Sequence, residues 1–193
     1  MRLKTSYRKY AGDGSGAAPG FATPTRKVEI YSQLFLEYGL SPLPDFVEPA
    51  ISPMSRPDLI DRFPLVLTCA KATQFCQSQH RNLPRLRWQL PDPGVEIHPA
   101  TATARAIAEG DWVVIETPHG RFRARARLRI SLDPRVVVGQ HGWWQGCREL
   151  NQPGYEVLGP TSANYNAAIS SDAIDPVSGV PPHRSYLCEI RKL

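Results

Sequence analysis

A chain of 193 residues is long enough for one domain with its own hydrophobic core. Its 41% hydrophobic and 21% charged residues are ordinary for a soluble globular protein, and no apolar run approaches the ~20 residues of a membrane span. The net charge of +5 permits an anionic ligand, nucleic acid or acidic lipid as a partner without choosing among them, while 19 Pro and 14 Gly favour a loop-rich, mainly β protein.

The N-terminal part of the chain predicts little regular structure. Residues 1–24 are expected to form a flexible leader or linker, because Gly and Ala predominate after a basic start that no apolar region follows. Residues 28–31 predict a short strand, and residues 32–38 a helical turn or two. The folded domain is therefore expected at residues 25–193, in a cytoplasmic protein without a secretion signal.

The middle of the chain predicts short strands joined by tight turns. Six Pro residues between 41 and 64 exclude regular helix and central strand over most of that segment, and residues 65–68 then predict a buried strand. Pro99 suits the first turn of a helix that Gly110 and Asp111 would end. Residues 112–115 and 121–130 predict two further strands around a turn at residues 118–120.

The second of these strands alternates strictly between apolar and basic side chains. Successive strand residues point to opposite faces, so one face is expected in the core. The apolar set is Phe122, Ala124, Ala126, Leu128 and Ile130, and the basic set is Arg121, Arg123, Arg125, Arg127 and Arg129. The basic face fits a phosphate backbone, solvent or another domain, but the same strand offers no exposed aromatic residues for nucleic acid.

The C-terminal part predicts two more strands, at residues 136–138 and 186–191, with a long loop between residue 164 and the last strand. Taken together, these patterns predict six or seven short strands and one or two short helices. This pattern favours a closed β-barrel with crossover loops.

The polar loop after the first buried strand carries the densest set of hydrogen-bond donors. Such a set suits a large polar ligand with phosphates and heteroaromatic edges, although a solvated surface loop has the same composition. The donors are Lys71, Gln77, Ser78, Gln79, Arg81 and Asn82.

Other polar residues are individually ambiguous. His98 before Pro99 fits a helix cap or an anion contact, and Asn164 and Asn166 fit either turns or the edge of a base or pterin. His141 follows a predicted strand and precedes two Trp residues. The four Cys residues lack the spacing of a zinc or iron-sulfur site, and no spacing fixes a nucleophile beside a base, so no metal ligand or catalytic residue is predicted.

Several motifs together resemble a known family. They are the stretch at residues 24–32, the strand at residues 65–68, Ser78-Gln79 with Arg81-Asn82, the block from Ile97, residues 141–144, residues 164–166, and residues 175–179 with Leu187-Cys188. The chain resembles the C-terminal molybdopterin-dinucleotide-binding domain of the dimethyl sulfoxide reductase family of molybdenum and tungsten oxidoreductases. This resemblance implies a six-stranded double-psi β-barrel and, as cofactor, molybdopterin guanine dinucleotide, whose pterin holds the molybdenum or tungsten.

The resemblance also implies the cofactor-binding residues: Thr68, Lys71, Gln77, Ser78, Gln79, Arg81, Asn82, His98, Pro99, His141, Asn164 and Asn166. The chain would be the cofactor cradle of a larger oxidoreductase, as a fragment or small subunit without turnover of its own. Its partner would be the catalytic region of such an enzyme, in cis or in trans. Two alternatives remain open at this point, a protein-interaction or chaperone module and, less favoured, a basic nucleic-acid-binding barrel.

Overall fold

A computed structural model describes residues 20–193 of the chain. Most of the predicted leader therefore lies outside the described residues. The chain divides into two compact units, Met1–Val47 and Glu48–Leu193. The described part of the first unit contains one short helix, α1 (Gln33–Glu37), which confirms the helical turn predicted at residues 32–38.

The second unit is a closed barrel of six short strands, which confirms the mainly β prediction. The strands are β1 (Leu65–Cys69), β2 (Gly94–Ile97), β3 (Trp112–Glu116), β4 (Arg121–Leu128), β5 (Val136–Gly139) and β6 (Tyr186–Lys192). Around the barrel they follow the order β1-β5-β2-β4-β3-β6. The pairs β1–β5 and β2–β4 are parallel, and the other four are antiparallel.

The helices of the second unit are α2 (Pro84–Gln89) and α3 (Pro99–Thr103), so the described chain has three short α-helices where one or two were predicted. Single 3₁₀ turns lie at Pro57–Leu59, Arg148–Leu150 and Tyr165–Ala168. No helix within residues 20–193 combines the length and the apolar character needed to cross a membrane.

The barrel core comes from alternating strand residues, as the pattern of β4 predicts. Phe122, Ala124 and Ala126 are buried, while the arginines between them lie on the outer face. Arg123 and Arg125 stack on the ring of Trp112, at 5.2 and 4.6 Å from its centroid. Part of the basic face is therefore occupied by packing against an aromatic ring of β3.

Three predicted elements differ from the structure. Residues 28–31 form no strand; their side chains are exposed, and the Glu29 carboxylate accepts hydrogen bonds from the backbone N–H (3.1 Å) and hydroxyl (2.9 Å) of Thr25. Strand β4 ends at Leu128, which leaves Ile130 outside the core and 83% exposed. The helix at Pro99 ends at Thr103, well before Gly110.

The early end of α3 has a local cause. Ala106 adopts a left-handed φ of 52°, and the N–H of Ile107 then returns to the carbonyl of Ala102 at 2.9 Å. This is the usual geometry of a helix C-terminus, but glycine normally holds the left-handed position. An alanine in its place gives no signal in the sequence.

Candidate functional site

The strand pairing defines two ends of the barrel. Cys69 of β1 pairs with Gly139 of β5, and Tyr186 at the start of β6 pairs near the same level, so these residues mark one end, the Cys69 end. Because β2 runs antiparallel to β5, Ile97 lies at the opposite end, the Ile97 end. Loops that follow β1 and β5 and precede β6 therefore meet at the Cys69 end.

A pocket of about 350 Å³ opens among these loops. Four of the predicted cofactor-binding residues line it together: Lys71, Gln77, His141 and Asn166. The remaining walls are Cys69, Tyr165, Ile169, Val180, Pro181, His183 and Arg184. The pocket thus gathers residues separated by more than a hundred positions in the sequence, which only the barrel topology brings together.

The pocket is cationic. Lys71, Arg184 and two histidines line it, and no Asp or Glu from the described part of the chain does. Burial lowers the pKa of His141, and the nearby charges of Arg81, Lys71 and His183 lower it further. The positive charges around His141 favour a negatively charged ligand in this pocket.

Arg81 does not line the pocket, but it links two of the loops that form it. Its buried guanidinium donates to the carbonyls of Gln77 (2.8 Å), Gln79 (3.4 Å) and His141 (2.6 Å). It therefore ties the loop after β1 to the loop after β5, the two loops that supply Gln77 and His141 to the pocket. Its Nε is buried without a hydrogen-bond partner among residues 20–193.

A second buried arginine supports the first. Arg87 of α2 donates from Nη1 to the carbonyls of Arg81 (3.2 Å) and Gln145 (2.8 Å). Both guanidinium groups lie over the ring of Trp143, at 5.0 Å from its centroid for Arg81 and 5.1 Å for Arg87. Neither arginine forms an ion pair within the described residues, and burial lowers the pKa of Arg81 to about 10.

The loop after β1 is held in an uncommon conformation. Gln77 and His80 both have left-handed φ values, 53° and 73°, which few residues other than glycine adopt. Ser78 between them sits against Gly142, where a Cβ would come within 2.6 Å of the Ser78 Cα. A glycine at position 142 is therefore required for the two loops to approach this closely.

A second pocket, of about 330 Å³, shares Lys71 with the first. It is also lined by Glu96 of β2, by Arg127 of β4 and by Arg129, which follows β4. Arg129 forms an ion pair with Glu96 at 3.2 Å, while the Nε of Arg127 is buried without a partner within residues 20–193. Lys71 thus lines both pockets.

The other predicted site residues do not line the first pocket. Thr68 is half-buried on β1, Ser78 packs on Gly142, and Gln79 and Asn82 are exposed on the loop. Asn164 is buried, and its amide is engaged by backbone groups: Oδ1 accepts from the N–H of Asn166 (3.2 Å), and Nδ2 donates to the carbonyl of Val157 (3.1 Å). Ser78 and Asn164 therefore contribute to the structure of the loops around the pocket.

His98 and Pro99 lie at the Ile97 end, across the barrel from the pocket. His98 caps α3, since its Nδ1 accepts from the N–H of Ala100 at 3.0 Å. The twelve predicted residues therefore do not form one continuous rim.

Sequence reasoning did not include His183 and Arg184 in the site. Both belong to a long loop of small and polar residues, where neither periodicity nor spacing marks a binding residue. The hydroxyl of Tyr165 donates to the carbonyl of His183 at 2.5 Å and fixes that loop against the barrel. The sequence feature that could have indicated them is a pair of basic residues just before the buried strand β6.

Comparison with known proteins agrees with this geometry. The family model of the molydopterin dinucleotide binding domain matches residues 65–187, which span the barrel from β1 to the start of β6. Dopamine dehydroxylase of Eggerthella lenta is 36% identical over 188 residues, covering 94% of this chain and 18% of that protein. Acetylene hydratase of Syntrophotalea acetylenica is 33% identical over 172 residues, covering 84% of this chain and 22% of that enzyme.

The structural match is equally broad. Acetylene hydratase from Pelobacter acetylenicus superposes with a TM-score of 0.72 at 29% identity, over 98% of this chain and 26% of that one. This chain thus spans about a fifth of the length of the relatives it matches. It belongs to the molybdopterin dinucleotide-binding domain family, the part of the dimethyl sulfoxide reductase family of molybdenum and tungsten oxidoreductases that binds molybdopterin guanine dinucleotide.

Proposed function

We propose that the pocket at the Cys69 end binds the pterin and diphosphate part of molybdopterin guanine dinucleotide. The cationic lining of this pocket carries the proposal. A diphosphate needs positive charge and hydrogen-bond donors to replace the water it loses, and Lys71, Gln77 and Asn166 supply both. When bound, the cofactor would supply the dithiolene ligands of a molybdenum or tungsten ion that exchanges electrons with substrate.

The residues of the chain then have distinct roles. Lys71 would pair with a phosphate as a mobile point charge, since it is exposed at the junction of the two pockets. Neutral His141 would donate or accept one hydrogen bond, because its lowered pKa favours the uncharged ring at pH 7. Arg81 would act without contacting the cofactor, by fixing the loops of Gln77 and His141 and by adding positive electrostatic potential.

We also propose that the chain works as the cofactor cradle of a larger oxidoreductase and has no turnover alone. Its match to about a fifth of each relative supports this, as the catalytic region would lie in the rest, in cis or in trans. The four cysteines are all free, which supports a reducing, cytoplasmic setting.

The test is cofactor retention. The chain is purified from its native host, and molybdenum, tungsten and released guanine nucleotide are measured. Lys71→Ala is expected to lower retention at least tenfold, because an exposed lysine that pairs with a phosphate contributes through charge. Lys192→Ala is the matched control: it removes the same charge at the opposite end of the barrel, where Lys192 pairs with Asp111 at 2.8 Å.

The wild-type chain carrying neither metal nor guanine nucleotide would contradict the proposal. An equal loss of cofactor retention in the Lys71→Ala and Lys192→Ala variants would show that Lys71 does not contact the cofactor. Turnover by the isolated chain, with an artificial electron donor and several oxyanion acceptors, would contradict its role as a cradle alone.

A further inference from the structure

The imidazole ring of His141 lies half-buried in the wall of the pocket at the Cys69 end without a hydrogen bond of its own. The backbone carbonyl of His141 accepts from Nη2 of Arg81 at 2.6 Å, but neither ring nitrogen bonds any of residues 20–193. A ring in this situation can gain a proton without breaking a hydrogen bond inside the protein. Once protonated, it has two N–H donors to offer to a ligand in the pocket.

The second histidine of the pocket is held differently. Nδ1 of His183 donates to the carbonyl of Pro181 at 3.1 Å, and the backbone carbonyl of His183 accepts from the hydroxyl of Tyr165 at 2.5 Å. Because a carbonyl oxygen only accepts, Nδ1 carries the proton when the ring of His183 is neutral. The ring and the backbone of His183 are therefore both anchored, whereas the ring of His141 is not.

The groups that face His141 come from β1, from the loops and from the 3₁₀ turn around the pocket, and most of them are basic. No Asp or Glu within residues 20–193 lines the pocket. Burial, together with the charges of Arg81, Lys71 and His183, lowers the pKa of His141, so the ring is neutral in the free chain near pH 7. The titratable and charged groups that face it are Cys69, Lys71, Arg81, Tyr165, His183 and Arg184.

An anionic ligand would reverse this electrostatic balance. A diphosphate that is esterified at both ends, as in the proposed cofactor, carries two negative charges, which offset those of Lys71 and Arg81. An opposite charge within about 4–6 Å favours the protonated form of a histidine. The lysine and arginine side chains are already charged at neutral pH, so only a histidine can add positive charge, and His141 is the histidine with both ring nitrogens free.

We propose that His141 takes up a proton when a diphosphate enters this pocket, so that binding of the cofactor is coupled to proton uptake and becomes tighter as the pH falls below neutrality. This inference rests on the proposed function and names a control on the same site. Because linkage is reciprocal, the ligand raises the proton affinity of His141 by the same factor as the proton raises the affinity for the ligand.

Calorimetry of the full chain, produced in a host that makes no molybdopterin, measures this coupling. The probe is guanosine diphosphate mannose, whose doubly esterified diphosphate lacks the phosphate proton that titrates near pH 6 in a monoester. Titrations in two buffers of different ionisation enthalpy give the number of protons taken up. We expect at least about 0.3 proton per bound probe at pH 6, less than about 0.1 at pH 8, and a Kd at least about threefold lower at pH 5.5 than at pH 7.5.

Two variants identify the group that takes the proton. His141→Gln keeps a polar side chain that does not titrate, so it should show no proton uptake at about pH 6 and a Kd that changes less than about twofold with pH. His98→Asn is the matched control, because it removes a histidine at the Ile97 end and asparagine also caps helices. This control should keep the proton uptake of the wild type.

The other outcomes separate this inference from the proposed function. Binding of the probe without proton uptake would overturn the inference and leave the proposed function intact. Uptake that persists in His141→Gln would also overturn it, because another group, such as His183, would then take the proton. Absence of binding at both pH values would overturn the inference and count against the proposed diphosphate site itself.

Proton NMR of the wild-type chain tests the same coupling without a substitution. The ring C–H signal of His141, assigned from triple-resonance spectra, should titrate with a midpoint below 6.5 in the free chain. With saturating probe the midpoint should rise by at least about one pH unit, while that of His98 stays unchanged. A His141 midpoint that the probe does not move would overturn the proposal.

Discussion

Replacement of Gly142 by alanine tests whether the close approach of two loops builds the pocket. Gly142 has a φ of +79°, and a Cβ there would lie 2.6 Å from the Cα and 2.7 Å from the Cβ of Ser78. A left-handed φ costs a non-glycine residue roughly 1–2 kcal/mol, and overpacking typically adds about 1–3 kcal/mol. The free energy of unfolding of Gly142→Ala should therefore fall by roughly 2–5 kcal/mol.

Gly110→Ala separates these two contributions. Gly110 has nearly the same φ, +81°, but no atom lies within 4 Å of the position its Cβ would take. This control should lose only the conformational part, roughly 1–2 kcal/mol. Urea unfolding at matched m-values gives both free energies, and the difference between the variants measures the clash with Ser78.

Movement of the Ser78 loop is the alternative way to relieve the clash. In that case Gly142→Ala would keep more of its stability but lose bound cofactor, because Gln77 would leave the pocket. Equal stability losses in the two glycine variants, together with equal cofactor retention, would refute the reasoning that Gly142 is needed for loop contact.

Two further predictions concern the groups beneath and within the pocket. Arg81→Lys should lower the free energy of unfolding by about 2–4 kcal/mol in urea titrations, since an ammonium group cannot bridge the carbonyls of Gln77 and His141 together; an unchanged midpoint would contradict this. The pKa of His141 is lower in the folded protein than its usual value of about 6.5, so His141 takes up a proton in the unfolded chain at a higher pH than in the folded one. The free energy of unfolding of the wild type should therefore fall as the pH drops from 7.5 to 5. His141→Gln should show a shallower decline over that range, and parallel pH profiles of the two proteins would contradict the assignment.

The sequence predicted most of the barrel, because most of its strands carry a strong pattern. The alternation in β4 identified the buried face at Phe122, Ala124 and Ala126. Strand β2 was missed because it has four residues and follows Pro91-Asp92-Pro93, which reads as a loop. Its partners on both sides come from distant parts of the chain, so only tertiary pairing defines it.

The candidate site was predicted in part, for a related reason. A polar loop after a buried strand indicates where a ligand can bind, and Lys71 and Gln77 do line the pocket. The same composition cannot show which donor turns inward, and Arg81 turns under the loop to lie over the ring of Phe75, 4.6 Å from its centroid. His98 does not join Lys71 and Gln77 in the pocket, because the direction of β2 places it at the opposite end of the barrel.

The position of Arg81 explains how a small barrel can present a cationic pocket without crowding it. A buried guanidinium that bonds only backbone carbonyls keeps its full charge uncompensated, and screening by water is weak there. Burial lowers the pKa of His141 on the pocket wall, and the charge of Arg81 lowers it further. The three backbone carbonyls and the ring of Trp143 hold the guanidinium in place, and Arg87 anchors the backbone of Arg81 through its carbonyl, so the field is fixed before any ligand arrives. If the pocket binds the cofactor as proposed, a preorganised positive field of this kind would reduce the cost of binding a diphosphate and leave the pocket volume free for the pterin.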